Sequence, residues 1–309
     1  MYDIIILGAG PAGLTAGLYA GRSKLKTLII EKNIPGGQIA TTAFVDNYPG
    51  SMEDATGMGL SDRMYEQAKE YCEFLTTNVT SVELEGEVKK VHTDDGKTIE
   101  AKVIIISTGA AHRKLEVPGE SEFANMGVSY CATCDGPFYN GLDIYVVGGG
   151  DSAVEEAIYL TKFGRSVTII HRRDEFRASQ IVVDKAKANE KIKFELDSVV
   201  NEIKGDKETT SLIVENVKTG EIKELKSDDN SPIGVFIFVG YIPQTDIFKD
   251  KIDMNYGYIV TDDDMKTNIE GVFAVGDNRE KSVRQMVTAA GDGCIAAVVA
   301  NRYLEGQVW

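Results

Sequence analysis

The chain has 309 residues, enough for about two domains with separate cores, which excludes a small disulfide-stapled scaffold. Four cysteines, and no charged, apolar and small-residue series ahead of the apolar run Asp3–Leu7, point to a reducing, cytoplasmic setting. With 33 Lys plus Arg against 48 Asp plus Glu, the net charge of -15 repels nucleic-acid backbones and anionic lipid, and apolar runs such as Val103–Ile106 fall far short of the roughly 18 residues a membrane helix needs. Neither nucleic acid nor membrane is an expected partner.

In chain order, Asp3–Leu7 predicts a buried strand, Gly8-Ala9-Gly10-Pro11-Ala12-Gly13 a glycine turn, the following residues an amphipathic helix, and Ile29-Ile30-Glu31 the end of a second strand. A Gly-x-Gly-x-x-Gly that follows a strand and opens a helix lets backbone amides reach a pyrophosphate at the helix N-terminus. Glu31, 18 residues after Gly13, is placed to accept hydrogen bonds from an adenosine ribose with both hydroxyls free, as in FAD or NAD. Residues 76–100 alternate apolar and polar around Asp95-Gly96, the pattern of a β-meander, and lead into a buried strand, Val103–Gly109. Pro118-Gly119 marks a linker.

Cys131-Ala132-Thr133-Cys134, followed by Asp135, is a redox pair, half of a zinc site, or two buried thiols. Zinc needs four ligands, and Cys72, Cys294, His92, His112 and His171 form no second pair at ligand spacing, so no metal is expected. Asp135 beside a leaving thiolate favours the redox reading, as a proton donor. Cys72 and Cys294 read as packed thiols.

Asp143–Ala153 repeats Asp3–Gly13 at an offset of 140 residues, and the match continues without a gap to Ile170. The second copy has Gly148, Gly150 and Ala153 at the three turn positions, with Asp151 and Ser152 between them. Where the first copy has Glu31, this one has His171, followed by Arg172, Arg173 and, further on, Arg177. Loss of the acid and gain of three guanidinium groups favour the 2′-phosphate of NADP. A second meander spans residues 196–226, a buried strand runs from Val235 to Gly240, and Pro243 marks the second linker.

The tail from residue 246 has no partner copy; it predicts a strand, Gly271–Asp277, and a helix over Arg284–Tyr303. Gly276-Asp277 is either a plain turn or a close approach in which Asp277 accepts a ribitol hydroxyl. Returning this tail to the first copy gives an α/β fold of two nucleotide-binding, Rossmann-like three-layer domains, the second inserted into the first. The expected boundaries are 1–114 plus 246–309 for the first domain and 115–245 for the second, joined by two linkers that permit a hinge rotation.

In their order, Gly8-Ala-Gly-Pro-Ala-Gly13, Gly36-Gly-Gln-Ile-Ala-Thr-Thr42, Asn47-Tyr-Pro-Gly50, Cys131-Ala-Thr-Cys-Asp135, Gly148-Gly-Gly-Asp-Ser-Ala153, His171-Arg-Arg173 with Arg177, and Gly276-Asp277 with Arg284-Gln285 resemble the low-molecular-weight, bacterial-type thioredoxin reductases along nearly the whole chain. The resemblance implies one FAD per chain in the discontinuous domain, NADPH in the inserted one, a homodimer, and thioredoxin as protein substrate. It also implies Cys134 as the thiol nearest the flavin, Cys131 as the thiol that attacks thioredoxin, and Asp135 as acid/base. Gly37, Gln38 and Asn47 would line the flavin site with the Gly276-Asp277 and Arg284-Gln285 pairs. The sequence departs from the family pattern at Ser51 and the 51–58 loop, Pro137, Gln244 and Asn278. Relatives serving a glutaredoxin-like or ferredoxin-linked system are the alternative; the intact second turn and its three arginines argue against ferredoxin.

Overall fold

The computed structural model describes residues 1–41, 45, 47–52, 56–307 and 309. The chain divides into two compact units, Met1–Ala111 with Ile242–Trp309, and His112–Tyr241, against the expected 115–245 for the insertion.

The first unit is organised by strands buried on both faces, which is why their sequences read as continuous apolar runs instead of alternating. Parallel strands lie in the order Glu73–Thr76, Thr27–Glu31, Tyr2–Leu7, Thr98–Ile106 and Val272–Ala274. Ile4, Ile6, Val103, Ile105 and Phe273 face the helices Pro11–Arg22 and Met286–Leu304, meeting Leu14, Ala16, Ala296 and Ala300. Ile5, Leu7, Ile104, Ile106 and Val272 face the other way, onto Val82, Leu84 and Val91 of an antiparallel meander. Each fully buried isoleucine contributes roughly 1.5–3 kcal/mol, so both faces are needed to hold the layers. The nine-residue strand Thr98–Ile106 serves both layers, pairing antiparallel with Lys89–Thr93 at its start and parallel with Tyr2–Leu7 from Ala101 onward. The meander has a second hairpin turn that the sequence reading lacked, between Val79–Glu83 and Lys89–Thr93, made by Gly86 at φ +80°.

The second unit repeats this plan. Ile192–Glu195, Ser166–Ile170, Asp143–Val147, Ile233–Ile237 and Val128–Ser129 form a parallel sheet in that order. Ile144, Val146, Ile169 and Phe236 pack on the helices Asp151–Leu160 and Gln180–Lys187, while Tyr145, Val147, Val235 and Ile237 pack on the meander Ser198–Gly205, Thr209–Asn216 and Ile222–Lys226. The fold is therefore α/β, with two Rossmann-like three-layer domains, the second interrupting the first. The tail differs from expectation in detail. Its strand is only Val272–Ala274, Gly276–Asn278 forms a tight helical turn, and the last helix starts at Met286 because Gln285 caps it, donating its backbone N–H to Thr288 Oγ1 at 3.2 Å. Among the described residues no helix is long and apolar enough to cross a membrane.

Candidate active site

The glycines of the first turn divide by what surrounds them. Gly8 has φ +108°, and a Cβ there would stand 2.5 Å from the Ser107 carbonyl oxygen; one at Gly13 would overlap the Gly8 carbonyl oxygen. Both therefore pack protein against protein, which holds the turn tight. Gly10 is the exception: among the described residues nothing lies within 4 Å of its Cβ position. Ser107 braces the turn by donating its hydroxyl to the carbonyl oxygens of Leu7 and Gly8 at 2.9 and 2.8 Å.

Gly10 opens into a cleft of about 530 Å³ lined by Pro11, Ala12, Gly37, Gln38, Gly276, Asp277, Gln285 and Met286. Gly8, Glu31, Lys32, Thr108 and Gln244 line both this cleft and a smaller hollow of about 220 Å³ that runs on to Asn78 and Val79. Glu31 accepts the Ala9 N–H at 2.8 Å and the Asn33 N–H at 2.9 Å, leaving two of its four lone-pair sites for ribose hydroxyls. Asp277 Oδ1 is buried and has no hydrogen-bond partner among the described residues. Burial pushes its carboxyl up, against the pull of Lys281 and Arg284. An unsatisfied buried acceptor costs about 1–3 kcal/mol, which a ligand hydroxyl would recover. The open space at Gly10, the spare acceptors of Glu31 and the orphaned Asp277 oxygen together fit a dinucleotide such as FAD.

Other expected contacts are less direct. Gln38 donates its side-chain amide to the Ala110 carbonyl, and Asn47 donates to Oε1 of the cleft-lining Gln285 at 3.1 Å. Arg284 lies over the Tyr258 ring, 4.2 Å from its centroid, and does not line the cleft. Thr42 and residues 53–55 of the departing loop lie outside the described residues. Lys32, Asn78, Val79 and Thr108 line the hollow without any motif to announce them.

The second turn shows the same division. Gly148 has φ +154°, and a Cβ there would meet the Phe238 carbonyl oxygen at 2.5 Å and the Ala153 methyl at 2.6 Å, whereas Gly150 has open space above it. His171, the counterpart of Glu31, is 6% exposed, and its ring fills the place a side chain on Gly149 would take. The ring stacks on Phe176 at 5.3 Å. Burial pushes its pKa down, and Arg173, Arg177 and Arg172 add to that, so it is neutral and does not repel an anion. Arg177 donates its backbone N–H to the Gly149 carbonyl at 2.8 Å, and Ser179 donates its N–H to Asp151 Oδ1 at 2.8 Å, strapping the arginine segment to the turn. Ser152 is exposed and Ala153 buried beneath Gly148. All three arginine side chains are exposed, and among the described residues none has an ion pair.

Cys131 and Cys134 form a disulfide at the start of the short helix Ala132–Asp135, their Cα atoms 5.3 Å apart. The Cys134 N–H donates to Cys131 Sγ at 3.2 Å. Ser129, which sequence reasoning missed, joins the pieces: its hydroxyl accepts the Cys131 N–H at 3.1 Å and donates to Asp135 Oδ2 at 2.6 Å. Burial pushes the Asp135 carboxyl up, and the Ser129 bond offsets this in part, so a proton stays on it above the usual carboxylate range. Tyr130, beside Cys131, donates its hydroxyl at 2.7 Å to Glu120, a 1%-exposed carboxylate that also accepts the N–H groups of Leu115 and Glu116. The remaining thiols, Cys72 and Cys294, are both partly buried, and burial pushes Cys72 up to about 12, which makes it inert. Among the described residues no three His, Cys, Asp or Glu side chains cluster as metal ligands.

Comparison with known proteins covers the whole chain. Residues 2–293 match the family described as pyridine nucleotide-disulphide oxidoreductase. The chain is 50% identical over 310 aligned positions to a thioredoxin reductase of Peptoclostridium acidaminophilum, covering 99% of this chain and 98% of that one. It is 48% identical to the thioredoxin reductase of Bacillus subtilis (strain 168), covering 99% and 95%. The crystal structure of thioredoxin reductase from Streptococcus pyogenes MGAS5005 matches with a TM-score of 0.93 at 48% identity, covering 99% of both chains. With two glycine turns, a Cys-x-x-Cys disulfide and full-length likeness of this degree, the chain belongs to the pyridine nucleotide-disulphide oxidoreductases, among the bacterial-type thioredoxin reductases.

Proposed function

We propose that the chain is an FAD-dependent thioredoxin-disulfide reductase that passes electrons from NADPH through the Cys131–Cys134 disulfide to thioredoxin. The observation that carries this reading is the disulfide itself, tied through Ser129 to a carboxyl whose hold on its proton is strengthened by burial. Bound FAD supplies the two-electron exchange between the nicotinamide and the disulfide. Gly10, Glu31 and Asp277 would hold it, and Gly150 with Arg172, Arg173 and Arg177 would hold NADPH by its pyrophosphate and 2′-phosphate.

Once the disulfide is open, the Cys134 N–H that now reaches Cys131 Sγ stabilises a thiolate there, which suits Cys131 for attack on an incoming disulfide. Cys131 bonds to one sulfur of the thioredoxin disulfide and expels the other as thiolate. Cys134 then attacks Cys131, which restores the Cys131–Cys134 bond and releases thioredoxin as a dithiol. Asp135 holds the proton that a departing Cys134 or Cys131 sulfur takes up when the enzyme disulfide is reduced.

The working form is a homodimer in the cytoplasm, as family likeness and sparse cysteine usage suggest; sedimentation at the mass of one 33.7 kDa chain would contradict the dimer. The activity is tested by NADPH oxidation with oxidised thioredoxin present and absent. Consumption of one NADPH per disulfide opened is expected, and oxidation indifferent to thioredoxin refutes the reading.

A further inference from the structure

The last helix, Met286–Leu304, carries one carboxylate that neither glycine turn nor the disulfide explains. Asp292 is 6% exposed and accepts four hydrogen bonds: from the Gly276 N–H at 2.9 Å, from Arg279 Nε and Nη2 at 2.9 and 3.1 Å, and from Lys281 Nζ at 2.8 Å. Burial pushes this carboxyl up, and the bonds from Arg279 and Lys281 overcome that and hold it below the usual range. It is thus a buried anion matched by two cations, a costly arrangement unless its geometry is used.

That geometry is rigid. The residue beside it, Gly293, lies against the Ala12 carbonyl so closely that any side chain would overlap, which fixes where the helix crosses Pro11–Arg22. Gly276, at φ +78°, has its Cβ position 3.1 Å from the Ala12 methyl. The turn is therefore stopped on one side by Ala12 and gripped on the other by Asp292. The next residue is Asp277, whose orphaned Oδ1 stands in the cleft wall.

We infer that Asp292 is a positioning residue for the cofactor: by gripping the Gly276 amide, with Arg279 and Lys281 balancing its charge, it aims the Asp277 carboxylate at a hydroxyl of the bound flavin's ribitol. The inference rests on reading this cleft as the FAD site. It makes Asp292 act through Asp277, so the two residues' effects on flavin retention are not independent.

The test is FAD release from the holoenzyme, followed by the rise in free-flavin fluorescence after dilution, in Asp277→Ala, Asp292→Asn and the double variant, with visible circular dichroism of the flavin recorded before dilution. Each single variant releases FAD at least about tenfold faster than wild type, the double variant stays within about threefold of the faster single, and both singles share one altered dichroism spectrum. Release at the wild-type rate in Asp292→Asn, or effects that multiply to about a hundredfold in the double variant, overturns the inference. Wild-type protein that takes up no FAD refutes instead the cleft assignment beneath it. Should Asp292→Asn fail to fold, Arg279→Met loosens the same grip with Asp292 in place; it speeds release in the wild-type background and has no effect on top of Asp277→Ala, and equal effects in both backgrounds overturn the inference.

Discussion

Replacing Gly150 with alanine separates what a phosphate turn does for its ligand from what it does for the fold. Gly150 has φ -94° and ψ 177°, extended backbone that alanine adopts freely, and nothing lies within 4 Å of its Cβ position. Two small stability effects oppose each other. Alanine is a poorer helix N-cap than glycine, and it lowers the entropy of the unfolded chain, each worth less than about 1 kcal/mol, so the unfolding temperature barely moves. The added methyl instead occupies space the NADPH pyrophosphate needs. Crowding a close-packed contact costs about 1–3 kcal/mol, which predicts an NADPH dissociation constant raised roughly 5- to 150-fold. Gly148→Ala is the reverse case: at φ +154° and 2.5 Å from the Phe238 carbonyl oxygen, its methyl strains the fold itself. It loses about 1–3 kcal/mol of stability, or roughly 2–4 °C of unfolding temperature per kcal/mol. Calorimetric titration with NADPH and thermal unfolding, run on both variants, make the comparison. Unchanged NADPH affinity in Gly150→Ala would show that the space above this glycine is not the nucleotide site.

Arg172→Ala removes a charge-assisted bond to the 2′-phosphate and should weaken NADPH use roughly tenfold or more while leaving NADH use unchanged; equal losses for both would refute 2′-phosphate recognition. Asp135 retains its proton above the ordinary carboxylate range, so steps that need it decline only as pH rises past that raised value. Ser129→Ala removes a bond that favours the ionised form, so the alkaline limb of flavin-to-disulfide transfer should move to higher pH, and a downward shift would contradict the arrangement. His112 is pushed down to about 4 by burial, so it is neutral in the folded chain. The unfolded chain binds more protons between the ordinary histidine value and about 4, so stability is lost as pH falls through that window, and His112→Phe should flatten urea-unfolding midpoints measured across it.

The sequence reading succeeded where a residue's role follows from chain-local pattern. The 140-residue repeat placed both strand, turn and helix units because periodicity and glycine spacing are local, and buried-on-both-faces strands such as Val103–Ile106 announce themselves as unbroken apolar runs. It failed where the role depends on distant backbone. Gly8, Gly10 and Gly13 look alike in a motif, yet the Ser107 carbonyl closes the space at Gly8, the Gly8 carbonyl and the Ser107 hydroxyl close it at Gly13, and among the described residues nothing closes it at Gly10. Ser129 is an unremarkable serine until the helix after Cys131 folds back and brings Asp135 within 2.6 Å of it. Asp292 lies sixteen residues from the amide it grips, in a helix that carries no motif at that position. Arg284 stood in a family motif but stacks on Tyr258, a contact that a two-residue hairpin strand supplies and no spacing rule foresees.

The central claim is that electrons leave through Cys131 to a thioredoxin sulfur, and a trapped intermediate tests it most directly. Cys134→Ser leaves an attacking thiol with no resolving partner, and a thioredoxin with one cysteine remaining, activated as an aromatic mixed disulfide, offers a sulfur whose leaving group departs once. Mass spectrometry of the digested product should find a peptide pair joined through Cys131, formed stoichiometrically with release of the aromatic thiol. The Cys131→Ser protein should trap little. Joining through Cys134 at the same rate in Cys131→Ser, or no joined peptide at Cys131 in Cys134→Ser, would contradict the account.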